Sequence, residues 1–190
     1  MSDHYVIYTC GYTKHKGHAV SALVIDDLVR GTRKAFQAVT KSSSLVAELE
    51  HLNHVLRVLL VNDARAVKIA IVAHHKNRNL HVLVSKLIRA AKAAIKSHPN
   101  DRERVMRAYC RLPNGTMPVT FNQQMALLQT LVQIYDTIQA DMEVVVANFT
   151  SEEHLREGLE TAMRVAKDAL EEHKVGLPHV SLLDLLTNTD

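Results

Sequence analysis

Leu45, Leu49, Leu52, Leu56, Leu59 and Leu60 recur every three or four residues, the spacing that gathers side chains on one face of an α-helix. The serines before them, Ser42 to Ser44, carry hydroxyls that accept hydrogen bonds from the first free amides of such a helix. A helix is therefore predicted from about 45 to 61. Its flanks narrow the fold. Upstream, Tyr5-Val-Ile-Tyr-Thr-Cys10, His18-Ala-Val-Ser-Ala-Leu-Val-Ile25 and Lys34-Ala-Phe-Gln-Ala-Val-Thr40 are β-branched, aromatic or alternating. They are separated by polar turns at 13–17 and 26–31, and read as a three-stranded antiparallel meander. Downstream, Lys68-Ile-Ala-Ile-Val-Ala73 is an unbroken apolar run, as a strand covered on both faces requires. A strand, a crossover helix and a second strand imply a parallel pair with a right-handed connection.

From about 79 to 140 the pattern is helical, with breaks at Pro99-Asn100 and Pro113-Asn114-Gly115. Glu143-Val-Val-Val-Ala-Asn-Phe149 reads as a last strand. Thr150 or Ser151 is placed to cap an amphipathic helix through about His173, ended by Gly176 and Pro178. The apolar tail from Val180 to Leu186 is expected to dock or to serve self-association. With no repeat and no long linker, the 190 residues are expected to form one domain.

The net charge is only +3, yet it is unevenly distributed. Residues 76–111 hold ten Lys or Arg against Asp101 and Glu103, whereas 141–190 hold eleven acids against four bases. Such polarity points to a charged partner. The start of the chain has no basic stretch followed by an apolar core, and no apolar run approaches the roughly 20 residues of a membrane span. Cys10 and Cys110 have no CxxC spacing. These features favour a soluble protein of the cytoplasm or another reducing compartment, without a membrane partner.

The order of elements resembles the ribonuclease H family, most closely over residues 5 to 80. That family opens with a strand ending in Asp-Gly-Ser, places a Glu early in the first helix, ends its fourth strand in an Asp motif and adds an acid in the final helix. The resemblance implies an α/β fold with a five-stranded mixed sheet of order 3-2-1-4-5, flanked by helices. It also implies a helical insertion between strands 4 and 5, and a site where carboxylates hold two divalent metals for cleavage of the RNA strand of a hybrid. Here the first motif reads Thr9-Cys10-Gly11-Tyr12, with Cys10 at the leading acid, and Val72-Ala73-His74-His75 puts His74 at the second. Ala47-Glu48-Leu49 matches the family's Glu. On a helical wheel with Leu45 at zero, Glu48 falls at about 300°, between Val55 and Leu52, while Glu50 falls near 140° and faces water. Arg156 or Glu157 falls near the last acid.

Two-metal phosphodiester hydrolysis needs hard oxygen ligands, and one matched carboxylate is too few. Loss of magnesium chemistry is thus expected. Cys10, Glu48 and His74, with His75, are softer donors that suit zinc; alternatively Cys10 fills a buried strand position while Glu48 pairs with His74. His15, His18, His51 and His54 form further pairs, and the wheel places His51 and His54 toward solvent. Lys86, Arg89 and Lys96, and Arg104, Arg107 and Arg111, recur at helical spacing and are candidate phosphate contacts. The sequence therefore reads as a non-catalytic adaptor that contacts nucleic acid or a protein complex. The alternative is a divalent-metal nuclease using Glu48 with Cys10, His74 and Glu157 as substitute ligands.

Overall fold

A computed structural model describes residues 3–14, 18–61, 66–73, 78–146 and 153–175. Strands β1 (Asp3–Lys14), β2 (His18–Asp27) and β3 (Thr32–Thr40) form the meander, and β4 (Ala66–Ala73) and β5 (Asp141–Val146) complete a five-stranded sheet of order β3-β2-β1-β4-β5. β1 is antiparallel to β2 and parallel to β4, and β4 is parallel to β5. The expected sheet and its strand order are therefore present. β2 begins at His18 as expected, β1, β3, β4 and β5 begin two residues earlier than the apolar runs suggest, and β1 and β2 also run on past them, because backbone pairing continues through polar residues such as Asp26 and Asp27.

The leucine stripe becomes α1 (Ser44–Val61). Its start is fixed by Ser43, whose Oγ accepts from the Val46 amide at 3.3 Å and whose carbonyl accepts from Ala47 at 3.0 Å. The predicted helical insertion divides into α2 (Arg78–Lys96), a single 3-10 turn at Pro99–Asp101, α3 (Arg102–Cys110) and α4 (Phe121–Thr137). The breaks fall at the two proline sites. Beyond β5 comes α5 (Glu153–Val175). The cap at 150–151, the helix stop at 176–178 and the apolar tail lie outside the described residues. Among the described residues no helix is long and apolar enough to cross a membrane.

Helices cover the sheet on both sides. Ile7, Leu23, Ile69 and Ile71 point into a core shared with α1, α2 and α4. Val6, Tyr8, Cys10, Val24 and Val72 point into a second core closed by Leu155, Leu159, Ala162 and Ala166 of α5. β4 is buried on both faces, from Ile69 through Ala73, which accounts for its lack of polar alternation.

Candidate nucleic-acid interface and metal site

Glycine at position 11 sets the geometry at the end of β1. Gly11 is registered with Ser21 of β2, and a Cβ on it would lie 2.6 Å from Cδ and 2.7 Å from Oε2 of Glu48. Absence of a side chain thus lets the α1 carboxylate rest on the β1 backbone. Glu48 is 1% exposed, as the wheel placed it, and Glu50 is exposed. Glu50 accepts a hydrogen bond from Gln123 of α4 at 3.1 Å.

Polar groups gather on this side of β1. Thr9, Ser21 and His51 are all buried, and His51 Nδ1 lies 3.2 Å from Ser21 Oγ. His51 was expected to face water, and the structure corrects this: it is 4% exposed. α1 packs between the sheet and α4, so its buried arc is wider than the leucine stripe, and His51 lies on the flank turned to β2. Burial, with a smaller contribution from His54, lowers the His51 pKa to about 3. His54 is half-buried, and burial and then Arg57 lower its pKa as well.

Cys10 leaves β1 on the other side. Alternation along a strand sends neighbours to opposite faces, and Cys10 sits in the α5-side core with Tyr8, Ala22 and Leu159. The structure does not bring Cys10 and Glu48 together, and His74 and His75 lie outside the described residues. Glu157 is engaged elsewhere. Its Oε1 accepts from Arg33 Nη1 at 3.1 Å, and Arg33 holds Asp26 bidentately at 2.6 and 2.8 Å. Asp26 is registered with Val6, four residues before Cys10, which is about 13 Å along the strand. Burial first, then Asp26, raise the pKa of the neighbouring Tyr8 phenol. Among the described residues no three His, Cys, Asp or Glu side chains converge as a metal site. Among the described residues, the matched positions supply the Glu48 carboxylate and a Cys10 thiol inside an apolar core, a set short of the several oxygen ligands that two magnesium ions need.

The predicted basic residues do form surfaces. Arg104, Arg107 and Arg111 line one open groove on α3 together with Asn100, Glu103 and Leu112. The Arg104 side chain is 81% exposed and pairs with Asp101 at 3.1 Å; Arg107 pairs with Glu103 at 2.8 Å. Lys86 is half-buried and donates to the Arg111 carbonyl at 3.5 Å, so it joins the α3 group. Arg89 and Lys96 are exposed on α2, with Lys92 on the same arc. Lys92 was not among the candidate contacts; it lies 3.9 Å from Asp141 and 5.6 Å from the centre of the Tyr135 ring. Sequence reasoning also missed the exposed apolar residues of the turn after α3, Leu112, Met117 and Val119. Isolated apolar letters in a polar loop carry no periodic signal.

No protein-family model matches the chain, and no curated protein matches it. Solved structures do. A foamy viral protease-reverse transcriptase in complex with RNA/DNA hybrid is 9% identical with a TM-score of 0.53, over 88% of this chain and 20% of that one. The present chain thus spans a fifth of that polypeptide. A foamy viral protease-reverse transcriptase structure in complex with dsDNA aligns with a TM-score of 0.56 at 9% identity, over 87% of this chain and 92% of the other. The solution structure of the PFV RNase H domain aligns with a TM-score of 0.55 at 11% identity, covering 88% and 94%. Sheet order, helix placement and these alignments together show that the chain has the fold of a ribonuclease H domain.

Proposed function

We propose that this chain is a ribonuclease-H-like module that binds nucleic acid through its α2–α3 surface and does not hydrolyse it. The observation that carries the reading is the groove holding Arg104, Arg107 and Arg111, whose guanidinium groups are presented to solvent along one helix face. The solved structures of like fold include one in complex with RNA/DNA hybrid and one in complex with dsDNA, which supports the same class of partner here. The reading without cleavage is supported by the donor set among the described residues, in which Cys10 points into an apolar core and Glu48 is the acid at a matched position. A protein complex is the competing partner.

A second reading, a divalent-metal nuclease with a substituted site, is favoured by the Glu48 carboxylate, which remains seated at the end of β1. Incubation with an RNA–DNA hybrid and with single strands in Mg²⁺, Mn²⁺ and Zn²⁺ separates the two. Salt-sensitive binding without cleavage is expected. Metal-dependent cleavage abolished by Glu48→Gln would establish the second reading, and failure to bind any oligonucleotide at low salt would point to the protein partner.

A further inference from the structure

We propose that β3 pairs with the β3 strand of a second copy of this chain, antiparallel and centred on Phe36, so that two sheets join into one across a two-fold axis. β3 is the last strand on its side of the sheet, registered with β2 from Thr32 to Thr40 and, among the described residues, with no strand beyond it. On the outer side of such a strand every second residue turns its amide and carbonyl outward, which is a template for another strand. Edges that stay solitary are short or carry central charges, a proline or a bulge. β3 has none of these protections: it is nine residues long, its register with β2 is unbroken, and Ala35 to Thr40 holds neither charge nor proline. The opposite edge differs. β5 is six residues long, carries Asp141 and Glu143, which pair with Lys92 and Lys68, and has α2 packed against it.

The charges on β3 select both the occupant and its direction. Arg33 and Lys34 lie together at one end of the strand, and Arg33 is already engaged with Asp26 and Glu157. Parallel self-pairing would set Lys34 against Lys34, and like charges directly opposite destabilise a sheet. Antiparallel pairing centred on Phe36 sets Lys34 opposite Ala38, Ala35 opposite Gln37 and Phe36 opposite its own counterpart, so no like charges meet. Inverted on itself, the strand is its own complement, as a two-fold interface requires. Phe36 supplies the apolar centre. It is registered with Leu23 and therefore stands on the α1 side of the sheet, yet it is half-buried and belongs to neither core. α1 packs mainly over β1 and β2, which leaves this ring at the margin. Across the axis the two rings cover one another, and each Lys34 lies diagonally beside the second copy's ring, whose face attracts an ammonium group.

Sedimentation equilibrium of the full chain, from low micromolar to near-millimolar concentration, tests the proposal together with charge variants at the axis. The wild type is expected to double in mass as concentration rises. Phe36→Lys and Phe36→Glu, each checked for folding by circular dichroism, should weaken association by about a hundredfold, because each sets like charges face to face. An equimolar mixture of the two should dimerise again. Cross-linking reads the register without relying on either charge variant. Phe36→Cys, oxidised with diamide, is expected to give a disulfide-linked dimer, since directly opposite residues have Cβ atoms about 5 Å apart. Lys34→Cys should not, because its two thiols would lie four positions apart, about 13 Å along the strand. The native Cys10 and Cys110 are buried and do not compete. A wild type that stays monomeric throughout overturns the proposal. So do a dimer indifferent to Phe36→Lys, a mixture of charge variants that remains monomeric, and cross-linking at 34 as ready as at 36.

Discussion

Gly158 lies inside α5, where glycine ordinarily makes a helix about 1 kcal/mol less stable than alanine does. Replacement by alanine would usually stabilise such a helix. Here the sign reverses, because a Cβ at this position would overlap the Tyr8 ring, which is fully buried and cannot swing away. Overpacking of that kind costs roughly 1–3 kcal/mol, so Gly158→Ala should lower the urea midpoint, and much of the loss should return in Gly158→Ala/Tyr8→Leu. A second residue-scale expectation concerns His51. Its pKa is about 3 in the folded chain against about 6.5 unfolded. Above pH 6.5 both states are neutral at this site and its contribution is complete. As pH falls below 6.5 the unfolded state takes up the proton first, and stability drops by up to about 1.4 kcal/mol per pH unit until about pH 3. Thermal unfolding of His51→Leu followed across that range should show a shallower decline than the wild type. Neither feature is legible in the sequence. The wheel located Glu48 because that side chain belongs to the leucine stripe, but it misplaced His51, because only the position of Ser21 on a neighbouring strand shows that this flank is covered.

At the scale of elements, α5 is held to the sheet by apolar packing and by the Asp26–Arg33–Glu157 ion pairs. These two pairs are unequal. Glu157 is 68% exposed, and a pair of that kind is worth about 0–1 kcal/mol, whereas Asp26 is largely buried and bidentately held. Arg33→Ala should therefore destabilise by roughly 2–4 kcal/mol, since it strands a buried carboxylate, while Glu157→Gln should move the denaturant midpoint only slightly. Equal effects from the two would show that α5 is tethered chiefly by Glu157. Elements with strong periodicity or firm punctuation were readable in advance: α1 from its leucines, β4 from its apolar run, the α2 and α3 ends from their prolines. What escaped was partnership between elements distant in sequence. Nothing around Glu157 announces that it meets Arg33 across 124 positions.

At the scale of the molecule, strand order followed from the succession of elements together with the family resemblance, because a meander followed by crossover units leaves few topologies. The charge polarity was also visible, but how the cations are engaged was not: among the described residues of the basic segment, Lys86 turns toward α3, Lys92 lies by Asp141 and Tyr135, Arg102, Arg104 and Arg107 form ion pairs with Asp136, Asp101 and Glu103, and Arg89, Lys96 and Arg111 are exposed. This separation makes binding and stability respond differently to salt. The ion pairs of the exposed surface, such as Arg104 with Asp101 and Arg107 with Glu103, are each worth little and are readily screened, so their loss should lower Tm by only a few degrees. Phosphate contacts release condensed counterions instead, with a slope of about −0.9 per contact in log affinity against log salt. Four contacts would then reduce duplex affinity by between three and four orders of magnitude over a tenfold rise in salt. Parallel measurements of Tm and of oligonucleotide binding from about 50 to 500 mM NaCl should show the second collapsing while the first hardly moves. A binding constant as indifferent to salt as Tm would mean that the arginine groove does not meet phosphates.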